Sequence, residues 1–178
     1  MKKNNVLLVT GGSRSGKSTY ALNRALTAET PRAFIATAEA FDQEMADRIR
    51  RHQAERGDTF ISIEEPVDLA GAIDRIPAGT SLALIDCLTV WLGNLMHKHG
   101  VQPEPYEEVR AFVKAIENPP CELVIVTNEL GSGIIPHDAM TRTYRDHAGW
   151  LNQDVAKVAD EVVLVACGLP LHLKGGAE

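Results

Sequence analysis

Residues Gly11-Gly12-Ser13-Arg14-Ser15-Gly16-Lys17-Ser18 satisfy the pattern G-x-x-x-x-G-K-[ST] at every position, directly after the apolar run Val6-Leu7-Leu8-Val9-Thr10. No other stretch of the chain restricts the fold as strongly. A buried strand has to deliver the chain to a tight loop, and a helix has to start at its end. Glycines let the backbone curl until successive N–H groups face one anion. The helix N-terminus adds partial positive charge at the same point. Lys17 can then reach the β- and γ-phosphates of a nucleotide, and the Ser18 hydroxyl can ligate magnesium.

The rest of the chain repeats this strand-then-helix order. A helix is predicted from Lys17 to Thr27, stopped before Pro31, followed by a buried strand over Ala33–Thr37. Asp42 to Glu55 reads as a helix with Met45, Ile49 and His52 on one face, ended by Gly57. Thr59–Ile63 reads as a strand, Val67–Ile76 as a helix, and Ser81–Asp86 as a strand whose apolar run ends in one acid. Thr89–Lys98 and Tyr106–Glu117 read as helices around a His99–Pro105 loop, and Leu123–Thr127 as another buried strand. A turn at Gly131-Ser132-Gly133 precedes a helix over Thr141–Ala159, and Val162–Ala166 with Leu169–Lys174 close the chain as a hairpin. This order predicts an α/β fold: a mostly parallel sheet with helices on both faces and an antiparallel C-terminal edge. With no repeat and no linker, residues 1–178 read as a single nucleotide-binding domain.

Charge narrows the partners. The chain carries 18 basic and 24 acidic residues, a net charge of −6. A protein that tracks nucleic acid carries a basic surplus, and one that docks on anionic lipid does likewise. The apolar run Val6–Val9 behind the N-terminus is too short for a signal peptide or a bilayer span. Cys87, Cys121 and Cys167 have no metal-ligand spacing and read as small buried hydrophobes in a reducing compartment. The expectation is a cytoplasmic protein with no nucleic acid and no stable membrane anchoring.

Asp86 is the natural second half of a phosphate-loop site. An acid at the carboxyl end of a neighbouring buried strand holds magnesium, usually through water. Two alternatives stand beside this reading: Asp86 as the N-cap of the following helix, and Glu129 as the acid on a central strand end. Among the six histidines, His52 has a distinctive setting, with Arg48, Arg50 and Arg51 before it and Arg56 after it. Such a cluster favours a neutral, nucleophilic imidazole and attracts a polyphosphate, although the same spacing also suits a histidine at the edge of an amphipathic helix.

The phosphate loop, Ile35-Ala36-Thr37-Ala38, the run Glu44-Met45 to Arg48-Ile49 leading to His52, and Thr127-Asn128-Glu129 with Gly131, Gly133 and Pro136 occur in this order, followed by Arg145-Asp146 to Gly149 with Asn152. In this combination the chain resembles the bifunctional adenosylcobinamide kinase / adenosylcobinamide-phosphate guanylyltransferase family of cobalamin biosynthesis. The resemblance spans essentially the whole chain. It implies a RecA-like phosphate-loop sheet and a homotrimer. It implies phosphorylation of adenosylcobinamide with ATP or GTP, then transfer of GMP from GTP to give adenosylcobinamide-GDP and pyrophosphate, with Mg2+. It makes His52 the covalent nucleophile, with Lys17 of the phosphate loop as the other catalytic residue. Nucleotide contacts would fall on Gly11, Gly12, Ser13, Arg14, Ser15, Gly16, Lys17 and Ser18, on Ala36, Thr37 and Ala38, on Gln53, Ala54, Glu55 and Arg56, and on Glu64 and Asp86; Ser18 and Asp86 would hold the metal.

Two other functions compete with this one on the residues alone. A simple small-molecule phosphotransferase would use the phosphate loop and leave His52 structural. A nucleotide switch or assembly ATPase would use nucleotide without corrinoid turnover; the absence of a guanine-specific Asn-Lys-x-Asp element disfavours the GTPase form of it.

Overall fold

A computed structural model describes residues 4–39, 43 and 59–176. Its centre is a seven-stranded sheet. The strands are β1 (Val6–Thr10), β2 (Arg32–Ala36), β3 (Ile61–Glu64), β4 (Leu82–Asp86), β5 (Glu122–Val126), β6 (Glu161–Ala166) and β7 (Leu169–Lys174). They lie in the order β3-β2-β4-β5-β1-β6-β7. All neighbours pair in parallel except β6 and β7, which form the antiparallel hairpin anticipated at the C-terminus. The described helices are α1 (Lys17–Leu26), α2 (Leu69–Asp74), α3 (Leu88–His99), α4 (Glu107–Ala115) and α5 (Ala139–Val158).

Alternation along the strands divides the core in two. Leu7 and Val9 of β1, Leu82 and Leu84 of β4, and Val124 and Val126 of β5 pack under Ala21 and Ala25 of α1. Val6 and Leu8, Ala83 and Ile85, and Leu123 and Ile125 point the other way and pack against α2 to α5. Because successive side chains of a strand face opposite sides, a strand covered on both faces is apolar at every position. Trp91 of α3 anchors the larger half. It is fully buried, its ring meets Phe112 edge-on at 5.3 Å, and its indole N–H donates to the Val67 carbonyl at 2.6 Å.

The structure shifts several expected boundaries. β2 stops at Ala36 rather than Thr37, because Thr37 turns its backbone N–H to the Asp86 carbonyl as the chain leaves the sheet. β3 starts at Ile61, two residues late, with Phe60 used instead in the core. The helix expected over 67–76 is only Leu69–Asp74, because Asp68 caps it by accepting from the Gly71 N–H and Pro66 precedes the cap. α5 begins two residues early behind its cap Asp138, which accepts from the Thr141 N–H. The cysteines do not behave alike. Cys121 is buried and Cys87 half-buried, but Cys167 is exposed. It occupies the tight β6–β7 turn at φ 54°, where the chain reverses outside the core. The expected helix at 42–55, with His52 and the arginines around it, lies outside the described residues apart from Gln43.

Candidate active site

The phosphate loop hangs from β1 and is stitched to its neighbours by backbone hydrogen bonds. The Glu129 N–H donates to the Gly11 carbonyl at 3.1 Å, and the Gly168 N–H donates to the Ser15 carbonyl at 2.8 Å. Inside the loop the Ser15 N–H donates to the Gly12 carbonyl at 3.2 Å. Two glycines are required sterically. A Cβ on Gly11 would lie 2.4 Å from the Val165 carbonyl oxygen. Gly16 caps α1 at φ 96°, and a Cβ there would sit 3.1 Å from the Gly168 Cα. Lys17 is nearly buried, and its ammonium donates to the Gly12 carbonyl at 3.1 Å, so the charge is held across the mouth of the loop. Gly12, Ser13, Arg14 and Ser18 are exposed at this mouth.

Strand register gathers the other predicted residues on the same edge. Glu64, Ala36, Asp86 and Val126 are successive partners across β3, β2, β4 and β5, and Val126 pairs with Val9 of β1. Parallel strands deliver all their carboxyl ends to one side, where α/β sheets bind ligands. Asp86 lies two strands from β1, about 10 Å at the usual strand spacing. That separation suits a carboxylate reaching a loop-bound cation through water. Ser18 and Asp86 are both hard oxygen donors, the type that magnesium takes. The N-cap alternative for Asp86 does not hold: Cys87 is the cap of α3, without a side-chain hydrogen bond. Glu129 has a different task. Its carboxylate accepts from the Gly131 N–H at 2.7 Å and the Ser132 N–H at 3.2 Å. Burial raises its pKa, but the hydrogen bonds from Ser132 and Gly131 outweigh this and leave it below the ordinary value.

Thr37, expected at the nucleotide, is fully buried. Its hydroxyl donates to the Cys87 carbonyl and accepts from the Cys87 N–H, both at 2.9 Å. It therefore fastens the end of β2 to the bend that follows Asp86. The half-buried Ala36 and Ala38 flank it, and Glu64 is exposed at the end of β3. His52, Gln53, Ala54, Glu55 and Arg56 lie outside the described residues. The chain departs toward them from this edge, after Glu39, and returns at Thr59.

A polar framework stands behind the edge; the sequence named Thr127, Asn128 and Asn152 only as carriers of the resemblance and gave no role to Asn94, Thr89 or Tyr144. Asn94, buried on the apolar face of α3, donates to the carbonyls of Thr37 at 2.7 Å and Pro66 at 3.0 Å. The Thr89 hydroxyl accepts from the Asn128 amide at 3.0 Å, and the Thr89 carbonyl accepts from the Tyr144 hydroxyl at 2.7 Å. Burial, reinforced by Cys87, pushes the Tyr144 pKa up to about 12, so it remains a donor. Asn152 accepts from the Thr127 hydroxyl at 2.7 Å and donates to the Asn128 carbonyl at 2.9 Å. One signal was readable: an asparagine three residues after Trp91 and one before Leu95 sits where a helix should be apolar.

Known proteins resemble the chain at two levels. The sequence model of the family described as cobinamide kinase / cobinamide phosphate guanyltransferase matches residues 7–173. The bifunctional adenosylcobalamin biosynthesis protein CobP of Pseudomonas aeruginosa is 38% identical over 168 residues, covering 94% of this chain and 96% of the relative. CobU of Escherichia coli, of the same description, is 34% identical over 95% of this chain and 99% of the relative. Among solved structures, the flagellar accessory protein FlaH from Methanocaldococcus jannaschii superposes with a TM-score of 0.53 at 10% identity, over 98% of this chain and 80% of that one. An ATPase of a bacterial type III secretion system gives 0.53 at 12% identity, over 96% and 57%. With the loop and the strand order, these likenesses show a mostly parallel α/β sheet that carries a phosphate loop after its first strand.

Proposed function

This chain belongs to the cobinamide kinase / cobinamide phosphate guanyltransferase family, and from that membership we propose how its residues carry both reactions. It is a bifunctional enzyme of cobalamin biosynthesis. In the kinase step a hydroxyl oxygen of adenosylcobinamide attacks the γ-phosphorus of ATP or GTP. The bond to the β–γ bridging oxygen breaks, the nucleoside diphosphate leaves, and the hydroxyl proton passes to solvent. In the second reaction an imidazole nitrogen of His52 attacks the α-phosphorus of GTP. A P–N bond forms, the α–β bridging P–O bond breaks, and pyrophosphate leaves. A phosphate oxygen of adenosylcobinamide phosphate then displaces the histidine and takes the GMP.

The observation that carries this reading is the complete phosphate loop, with Lys17 across its mouth, on the edge where β4 presents Asp86. The loop N–H groups and Lys17 hold the phosphates and stabilise charge as it shifts toward the leaving group. Ser18 and Asp86 would hold Mg2+, which supplies charge neutralisation at the phosphates. Thr37 and Asn94 hold the β2 and β4 ends in place, and Ala36, Ala38, Glu64 and residues 53–56 complete the nucleotide contacts. One loop serves both reactions within a single domain.

Self-association into a homotrimer is part of the proposal. β7 is a sheet edge with Leu169, Leu171 and Leu173 all exposed, which favours contact with further copies. Among the described residues no helix is long and apolar enough to cross a membrane. We place the enzyme in the cytoplasm without nucleic-acid partners, consistent with its acidic balance and free cysteines.

GTP labelled at the α-phosphate tests the covalent step. The wild-type protein should acquire an acid-labile label and His52→Ala should not, while label from the γ-phosphate still reaches adenosylcobinamide. Equal labelling of the variant from α-labelled GTP removes His52 from the mechanism. Loss of protein labelling in the wild type, with γ-transfer retained, leaves a simple phosphotransferase.

A further inference from the structure

The connection from β5 to α5 is firmly held at both ends yet carries two large aliphatic side chains that the fold does not use. Its start is sewn to the phosphate loop. The Thr127 N–H donates to the Val9 carbonyl at 3.0 Å, and the Glu129 N–H donates to the Gly11 carbonyl at 3.1 Å. The Glu129 carboxylate then caps the Gly131 and Ser132 N–H groups. At the far end the Arg142 guanidinium donates to the carbonyls of Pro136 at 3.0 Å and His137 at 2.6 Å. Between these anchors Ile134 is 96% exposed and Ile135 68%, and Met140 at the start of α5 is 59% exposed. Ile134 is five positions after Glu129, so it lies at most roughly 17 Å along the chain from the contact with Gly11. Polar bonds set the shape of this loop. Its isoleucines form an exposed apolar pair within that reach of the phosphate loop.

We propose that Ile134 and Ile135, with Met140, are the apolar platform on which the corrinoid ring of the acceptor rests. This inference rests on the function proposed above and names the acceptor subsite within it. The chemistry of the two partners matches. The acceptor is a broad macrocycle edged with methyl groups and amide side chains, and its reacting hydroxyl, later its phosphate, lies on a short arm away from the ring. When the arm enters the phosphate loop, the ring has to rest just outside it. A surface that packs against the methyl-bearing part of the ring is apolar there and fixed relative to Gly11. The 129–142 connection meets both requirements. Exposed aliphatic pairs beside a reaction site gain their stabilisation only when a ligand removes them from water.

The test uses the full-length enzyme with Ile134→Ser/Ile135→Ser and the conservative Ile134→Leu/Ile135→Leu. The polar pair should raise the KM for adenosylcobinamide and its Kd by equilibrium dialysis roughly tenfold or more. The KM for the nucleotide and the labelling of the protein by GTP should stay within about twofold, and the leucine pair should stay near wild type. An unchanged corrinoid Kd in the serine pair overturns the proposal. So does a parallel loss of nucleotide and corrinoid binding, which marks a loop needed for folding, or a corrinoid defect that tracks dissociation in sedimentation, which marks a contact between copies. Failure of the wild-type enzyme to use adenosylcobinamide overturns the functional reading itself, and this is read before any variant is compared.

Discussion

Thr37→Val isolates one side-chain hydroxyl that holds two strand ends together. Valine has nearly the shape of threonine, so the fully buried site keeps its volume and only the hydrogen bonds are lost. The Cys87 carbonyl loses the Thr37 hydroxyl but keeps the Trp91 N–H at 3.1 Å, so that loss amounts to an ordinary hydrogen bond of about 1 kcal/mol. The Cys87 N–H loses the Thr37 oxygen that it donates to, and a donor left without an acceptor at this half-buried bend costs about 2 kcal/mol. The sum, about 3 kcal/mol, should lower the urea midpoint by roughly 1.5 M at a slope near 2 kcal/mol/M. The comparison is made at one protein concentration, because assembly adds to apparent stability. Thr37→Ser keeps the hydroxyl and should recover most of the loss. A midpoint shift under roughly 0.3 M for the valine variant refutes the reasoning, since the two bonds would then contribute almost nothing to the fold. A serine variant as unstable as the valine one refutes it too, because the methyl group and not the hydroxyl would be what matters.

Lys17→Ala removes the only side-chain ammonium in the phosphate-loop motif and should lower kcat/KM for both reactions by about a hundredfold or more, measured with saturating magnesium while urea stability holds. Glu65→Gln tests an acid-linked contribution. Burial raises the Glu65 pKa, but hydrogen bonds from Asp68, Arg75 and Val67 and the Arg75 charge outweigh it, so the folded value lies below 4.5. A depressed folded pKa stabilises fully above the unfolded value and stops contributing as pH falls through the folded one. The stability gap between wild type and variant, followed by urea titration, should be complete at pH 7 and close as pH falls below 4.5 through the folded value.

The buried runs and the phosphate loop made the parallel sheet legible in the sequence. Strands covered on both faces are apolar throughout, and the loop admits only a strand before it and a helix after it. The hairpin at Gly168 and the two-faced helical cover were readable for the same reason: both depend on local pattern. Asp86 was readable because a single acid closes an apolar strand. Boundaries such as Ala36 and Ile61 were less so, because they depend on which backbone groups find partners after the chain has assembled.

Residue types and spacing alone determined the anion-binding loop, the class of sheet and the short set of acids that could serve it. Only the tertiary structure showed what surrounds each of those acids. Strand order set β5 between Asp86 and the phosphate loop, and two backbone N–H groups claimed the Glu129 carboxylate for the neighbouring loop. It also made the Thr37 hydroxyl a fastener, because Cys87, fifty residues on, presents both a donor and an acceptor to it. Side-chain pattern reports what a segment buries. A polar group is paired by whatever the fold brings beside it, and for Thr37 that partner lies fifty residues along the chain.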